Sequence, residues 1–271
     1  MESNKVIVSV IVTTKNEEPH IENCLGSIIS QSYKKIELIV VDNNSKDKTP
    51  KIANKYTKLL FNKGPERSAQ RNFGSKKSSG EYLLFIDADM VLEPGVVRDC
   101  VDILEKEKDI GSVIIPEKST GIGFWAKVKS FERSFYESDD TIEAARFYRK
   151  EVFEKMGGFD ESLTGPEDWD LSDRVRKLYK IARIKSYIIH DEGKLSLLEL
   201  LKRKFYYARS VKNYISKNKR NVISSKTLPI LRPVFYKNPV KIISHPILFI
   251  AMILMLSLEI IAGFFGFLQN K

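Results

Sequence analysis

Short, nearly continuous runs of Val, Ile, Leu and aromatic residues recur at 6–12, 36–41, 59–61, 82–86, 113–115, 146–148 and 187–189. Runs of this kind fit strands buried on both faces. The stretches 19–31, 49–56, 67–78 and 95–106 lie between the early runs and read as helices. This alternation predicts an α/β fold: a mostly parallel sheet flanked by helices. Apolar residues make up 42% of the 271 residues, enough for a sizeable core.

After His190 the character changes. Leu197, Leu201, Phe205, Ala208, Val211 and Ile215 share one helical face, and most of the local Lys and Arg residues fall elsewhere. A basic amphipathic helix of this sort suits a membrane interface, and it equally suits a helix packed on the sheet with a solvated basic face. Pro229, Pro233, Pro239 and Pro246 then punctuate what reads as a surface-hugging connection. From 247 to 268 the chain is apolar apart from Ser257, Glu259 and glycines, which is long enough to cross a bilayer. Being apolar all round and last in the chain favours spanning or re-entrant insertion over a core helix, although Glu259 is expensive in lipid. The expected division is 1–193 for the main domain, 194–245 for an interfacial helical region and 246–271 for a membrane segment.

Lys and Arg number 45 against 35 Asp and Glu, a formal charge of +10. Nucleotides, nucleic acid or an anionic membrane surface are the partners that such a balance suits. Basic residues crowd ahead of the apolar segment and only Lys271 follows it. The positive-inside rule therefore places the main domain in the cytoplasm, at the cell membrane. Residues 1–12 lack the basic start and cleavage site of a signal peptide. Cys24 and Cys100 have no metal-type spacing and read as buried thiols in a reducing compartment.

In open α/β sheets ligands bind beyond the carboxyl ends of the strands. Those ends carry Thr13-Thr14-Lys15-Asn16-Glu17-Glu18, Asp42-Asn43-Asn44-Ser45, Asp87-Ala88-Asp89 and His190-Asp191. Residues two apart in a strand share a face, so Asp87 and Asp89 offer neighbouring carboxylates that repel unless a cation joins them. Mg²⁺ or Mn²⁺ is the simplest such cation; a polar turn after a strand is the plainer reading. Gly64-Pro65-Glu66-Arg67-Ser68-Ala69-Gln70-Arg71-Asn72 opens a helix, and helix N-termini and Arg both suit phosphate. Thr164-Gly165-Pro166-Glu167-Asp168-Trp169-Asp170 opens another. Acids in a first turn gain about 0.3–1 kcal/mol from the helix dipole, which does not account for their crowding beside Trp169.

Taken in order over 6–215, these segments resemble the family-2 glycosyltransferases, which bind nucleotide sugars on a GT-A fold. The resemblance rests on Val8–Glu18, Glu37–Ser45, Arg71-Asn72-Phe73-Gly74, Gly80–Asp89, Gly157-Gly158-Phe159-Asp160-Glu161 and Glu167-Asp168-Trp169-Asp170-Leu171. It implies roles for individual residues. Thr13 would lie among the donor-binding residues, Glu17 and Asp42 would contact the nucleoside, and Arg71 would lie near the diphosphate. Asp87 would touch the ribose or metal region, and Asp89 and His190 would serve the metal. Asp168 would be the catalytic base, with Asp160, Glu167 and Trp169 on the acceptor side. The partners implied are a UDP- or GDP-sugar, a lipid-linked or glycan acceptor and the membrane, not nucleic acid. Arg203-Lys204-Phe205-Tyr206-Tyr207 stands where many members have Gln-x-x-Arg-Trp, which argues for single-sugar transfer over processive synthesis.

The chemistry agrees with such a transfer. A divalent ion offsets the charge growing on a departing diphosphate, and a carboxylate base speeds attack by an acceptor hydroxyl about 10²–10⁴-fold. Attack opposite the leaving group inverts the anomeric centre. A nucleotidyltransferase of similar fold should carry a Gly-rich loop after the first strand, and Thr13–Glu17 contains no glycine. A catalytically dead membrane scaffold would not need Asp168.

Overall fold

The structure is a computed structural model and describes residues 6–137, 139, 142–217, 232–235 and 237–269. The strands are β1 (Val8–Thr14), β2 (Ile36–Asp42), β3 (Leu60–Asn62), β4 (Tyr82–Asp87), β5 (Met90–Leu92), β6 (Ile110–Ile114), β7 (Glu117–Ile122), β8 (Ala145–Arg149), β9 (Lys180–Arg183) and β10 (Ile188–Lys194). The helices are α1 (Ile21–Ile29), α2 (Thr49–Tyr56), α3 (Arg67–Lys77), α4 (Val96–Lys106), α5 (Phe124–Arg133), α6 (Lys150–Lys155), α7 (Glu167–Arg176), α8 (Leu197–Ala208), α9 (Val211–Lys217), α10 (Pro239–Ser244) and α11 (Pro246–Leu268). The chain forms two compact units: 1–117 with 144–161 and 171–191, and 118–143 with 162–170 and 192–271. This division runs differently from one at 193, because 118–143 and 162–170 cluster with the C-terminal helices.

The first unit holds a seven-stranded sheet in the order β3-β2-β1-β4-β8-β6-β9. β1, β2, β3 and β4 run parallel, β8 is antiparallel to both β4 and β6, and β6 pairs parallel with β9. Side-chain alternation explains the continuous apolar runs. Val10, Val12, Leu84 and Ile86 enter one core with Leu25, Ile28 and Val97, while Ile11, Leu83 and Phe85 enter the other with Phe153, Phe159 and Val175. Both faces are covered, so each position needs an apolar side chain. The expected fold class holds, an α/β sheet flanked by helices, with an antiparallel insertion at β8.

The second unit packs α11 against α8 and α5. α8 starts at a capping box, with Ser196 accepting from the Glu199 amide and the Glu199 side chain reaching back. The expected continuous amphipathic helix is divided between α8 and α9, where the Ser210 hydroxyl donates to Thr164 O at 2.7 Å and accepts from the Thr164 amide at 3.0 Å. The loop leading into α7 is thereby tied to the α8–α9 junction. α11 is long and apolar enough to cross a membrane, with a mean hydropathy of 2.6. One face buries Met252, Met255, Leu256 and Glu259, and the other exposes Ile247, Ile250, Leu254, Ile261 and Phe265. Glu259, costly in lipid, lies 3.6 Å from Lys129 of α5. Gly266 brings the α11 backbone against α8, where an added Cβ would overlap the carbonyl oxygen of Phe205. The part of the Pro-rich connection spanning 218–231 lies outside the described residues.

Candidate active site

β1 is flanked by β2, which leads on to β3, and on its other side by β4. The strand order therefore reverses between β1 and β4, a switch point at whose carboxyl edge ligands bind. There Thr13 stands opposite Asp87, and Thr14 stands opposite Asp42.

Asp87 is held on several sides. Thr13 Oγ1 donates to it at 2.9 Å, and Arg71 Nη2 lies 2.9 and 3.2 Å from its two oxygens. Arg67 and Arg146 come within 3.6 and 3.8 Å. Burial pushes the Asp87 carboxyl up, but the guanidiniums of Arg71, Arg67 and Arg146 outweigh it and hold the group well below the usual carboxylate range. Repulsion between Asp87 and Asp89 is thus met on the Asp87 side by arginine. Arg71 is only 1% exposed, also stacks its guanidinium 5.2 Å from the Phe159 ring, and is committed to Asp87.

Asp89 lies in the turn between β4 and β5. Its Oδ2 is 3.1 Å from His190 Nε2, and the Asp191 amide donates to the Asp89 carbonyl at 2.9 Å. Asp89 Oδ1 is buried and has no hydrogen-bond partner among the described residues. Antiparallel pairing of β10 with β5 sets Ile189 opposite Val91 and His190 opposite Met90, which delivers the imidazole to the turn. Glu117 Oε2 lies 3.9 Å from His190 Nδ1, and Glu117 Oε1 accepts from Arg146 Nε at 2.6 Å.

Glu17 follows β1. Its amide donates to Thr49 Oγ1 at 2.8 Å, and its carboxylate meets His20 Nδ1 at 3.0 Å. Burial pushes the Glu17 carboxyl up, and Asp89 and Asp87 add to this against the His20 hydrogen bond. Asp42 is buried and turned toward its own loop, accepting from the Ser45 amide at 2.8 Å and from the Ser45 hydroxyl at 2.5 Å. The structure therefore brings Thr13, Glu17, Asp42, Arg71, Asp87, Asp89 and His190 into the first unit, all but buried Arg71 at the strand ends and the turns beyond them. Asp160 is in the same unit, on a loop that Asn72 holds by bonding Phe159 N and O at 2.9 Å and Glu161 at 3.0 Å.

Glu167, Asp168 and Trp169 open α7 within the second unit. Glu167 Oε2 accepts from the Gly165 amide at 2.5 Å and Trp169 Nε1 donates to Ile142 O at 2.8 Å. Lys217 reaches buried Asp170 at 3.2 Å. Asp168 is half-buried in this turn. Sequence reasoning missed His20, Arg146 and Glu117 as site residues and noted Arg67 only as part of a helix start suited to phosphate. His20, three residues after Glu17 at a helix start, carried a usable signal. Arg146 and Glu117 belong to no motif and reach the site only through strand pairing.

Acidic strand ends gathered at a switch point suit the ligand-binding edge of an open α/β sheet. A model of glycosyl transferase family 2 matches residues 9–159, more than half of the chain, and the chain belongs to that family. It is 28% identical over 219 residues to glycosyltransferase GlyA of Streptococcus pneumoniae, covering 78% of this chain and 30% of that protein. An uncharacterized glycosyltransferase of Rickettsia typhi is 29% identical over 202 residues, 68% of this chain and 62% of its own length. The chain thus spans less than two thirds of either relative. Among solved structures, the mannosyltransferase PcManGT of Pyrobaculum calidifontis, in complex with GDP-Man and Mn²⁺, aligns with a TM-score of 0.66 at 18% identity, over 99% of this chain and 89% of that one. TarS of S. aureus aligns with a TM-score of 0.54 at 23% identity, over 76% of this chain and 40% of its own. At these identities the likeness establishes the GT-A fold.

Proposed function

We propose that the protein is a divalent-metal-dependent, inverting hexosyltransferase that moves a single sugar from a UDP- or GDP-sugar to a lipid-linked or glycan acceptor at the cytoplasmic membrane face. The observation that carries this reading is the pairing of Asp89 with His190 beside the switch point, with Asp89 Oδ1 buried and unpartnered among the described residues. A buried carboxylate oxygen without a partner is costly, and a cation relieves it. Among the described residues no three or more His, Cys, Asp or Glu side chains form a complete metal cage. The ion proposed is of the class commonly held by one or two carboxylates and completed by substrate phosphates. A carboxylate with an imidazole suits Mn²⁺ at least as well as Mg²⁺. Support for the donor class comes from PcManGT, solved with GDP-Man and Mn²⁺, and from TarS, solved with UDP-GlcNAc.

Asp89 and His190 would hold the ion, which when bound offsets the charge that grows on the diphosphate as the glycosidic bond breaks. Asp87 is engaged by three guanidiniums, and its part is to fix them. Arg67, 39% exposed, is placed to meet a diphosphate in preference to buried Arg71. Glu17 and the loop closed on Asp42 shape the nucleoside side. Where the acceptor is a hydroxyl, Asp168 takes its proton; with either a hydroxyl or a phosphate, attack from the face opposite the leaving group inverts the anomeric carbon. The exposed apolar face of α11 is the proposed membrane contact.

A donor screen tests the reading. UDP- and GDP-sugars are incubated with the protein and Mn²⁺, and release of nucleoside diphosphate is followed with and without a chelator. One donor class is expected to be hydrolysed, slowly and only with the ion. No release from any donor, or release indifferent to chelation, would contradict it.

A further inference from the structure

The second unit contains a cavity of about 350 Å³ between the first turn of α7 and helices α8, α9 and α11. Its wall is mostly carbon, with Trp169, Tyr207, Val211, Ile260 and Phe264 among the contributors. The cavity is partly open, and its volume falls in the range of ligand pockets, about 300–1,000 Å³.

Two side chains that ordinarily carry a charge at neutral pH line it, Lys204 and Glu259. They are not equivalent. Glu259 has Lys129 at 3.6 Å. Lys204 makes no hydrogen bond or close ion pair among the described residues, although Glu259 acts on it at longer range. Burial pushes the Lys204 ammonium down, with Glu259 opposing. An ammonium in an apolar wall is costly until an anion reaches it. The cavity is therefore matched to a ligand with an apolar body and one negative group. It also borders the exposed surface of α11: Phe264 lines the cavity and is 58% exposed, beside exposed Ile261 and Phe265. A chain drawn from an apolar environment could enter there. Pro166 and Trp169, also in the wall, flank Asp168 closely in sequence.

We propose that this cavity is the acceptor subsite, seating the apolar chain of a single-chain lipid phosphate whose phosphate is met by Lys204. The acceptor role rests on the glycosyltransferase reading above; binding of the lipid phosphate does not.

Trp169 reports on the cavity directly. The chain has two tryptophans, so Trp125→Phe leaves Trp169 as the sole emitter. In that background, Trp169 emission is titrated with farnesyl phosphate, farnesol, inorganic phosphate and dispersed phosphatidylcholine, with no donor and no divalent ion present. Farnesyl phosphate is expected to give a saturable shift and to bind at least about tenfold tighter than farnesol, a difference of about 1.4 kcal/mol. Lys204→Met should erase that preference and Lys204→Arg should keep it. Gly263→Leu should weaken both lipids, because a Cβ there has ordinary contacts, 3.7 Å to Lys204 and 3.8 Å to Ala208, and the longer side chain fills the void. Equal affinity for farnesol and farnesyl phosphate, an unchanged preference in Lys204→Met, or an equal response to inorganic phosphate or phosphatidylcholine would overturn the proposal. Such a failure would leave sugar transfer standing, whereas a failed donor screen with this binding intact would remove only the transfer.

Discussion

Asp87→Ala is expected to destabilise the first unit by about 3–5 kcal/mol, the usual cost of removing one partner from a buried ion pair. The reason is the company the carboxylate keeps. Arg71 is 1% exposed and directs Nη2 at both Asp87 oxygens, with Arg67 and Arg146 close by. Without Asp87 the three guanidiniums lose the carboxylate they share, although Arg146 keeps Glu117 at 2.6 Å, and Thr13 Oγ1 loses its acceptor. The melting temperature should fall by roughly 6–20 °C. The effect has a definite pH dependence. The folded state holds the Asp87 carboxyl below its ordinary value of 3.8, so its stabilisation is present above that value and is lost as pH falls below it. Thermal melts of the two proteins should therefore differ most near neutral pH and converge in acid. A gap that widens toward acid would contradict this account of Asp87.

Asp168→Asn should lower kcat on a hydroxyl acceptor by about 10²–10⁴ while leaving donor affinity close to unchanged. The amide keeps the shape and hydrogen bonding of the carboxylate and loses only its ability to take a proton. If Asp168 serves only the dipole of α7, the substitution costs a few tenths to about 1 kcal/mol of stability and turnover stays near normal. A phosphate acceptor is already ionised, so the variant should retain more of its rate on one. Single-turnover rates on both acceptor types test the base and the acceptor class together. Unchanged rates on every competent acceptor would remove Asp168 from the mechanism.

The sheet was legible because burial on both faces forces continuous apolar runs: Val10 and Val12 serve one core while Ile11 serves the other. β7, with Glu117-Lys118-Ser119-Thr120-Gly121-Ile122, and β9, with Lys180-Ile181-Ala182-Arg183, carry no such run, and pairing rather than composition makes them strands. The acids at the strand ends were also legible, since open sheets place polar side chains where strands emerge. How those acids are shared out was not. Asp87 meets guanidiniums from α3 and β8, and Asp89 meets an imidazole from β10, so the outcome depends on distant elements coming together. The length and apolarity of α11 could be read directly. Its division into a packed face and an exposed face, with Gly266 set against the backbone of α8, is not announced by any local pattern.

Metal-assisted donor binding at Asp89 is the centre of the functional account, and calorimetry of nucleoside diphosphate with and without Mn²⁺ tests it most directly. The unmodified protein is expected to bind the nucleotide at least about tenfold tighter with the ion, because the diphosphate then meets a cation held by Asp89 and His190. Asp89→Ala should lose that gain and bind equally in both conditions. Equal affinity with and without Mn²⁺ in the unmodified protein would contradict the account.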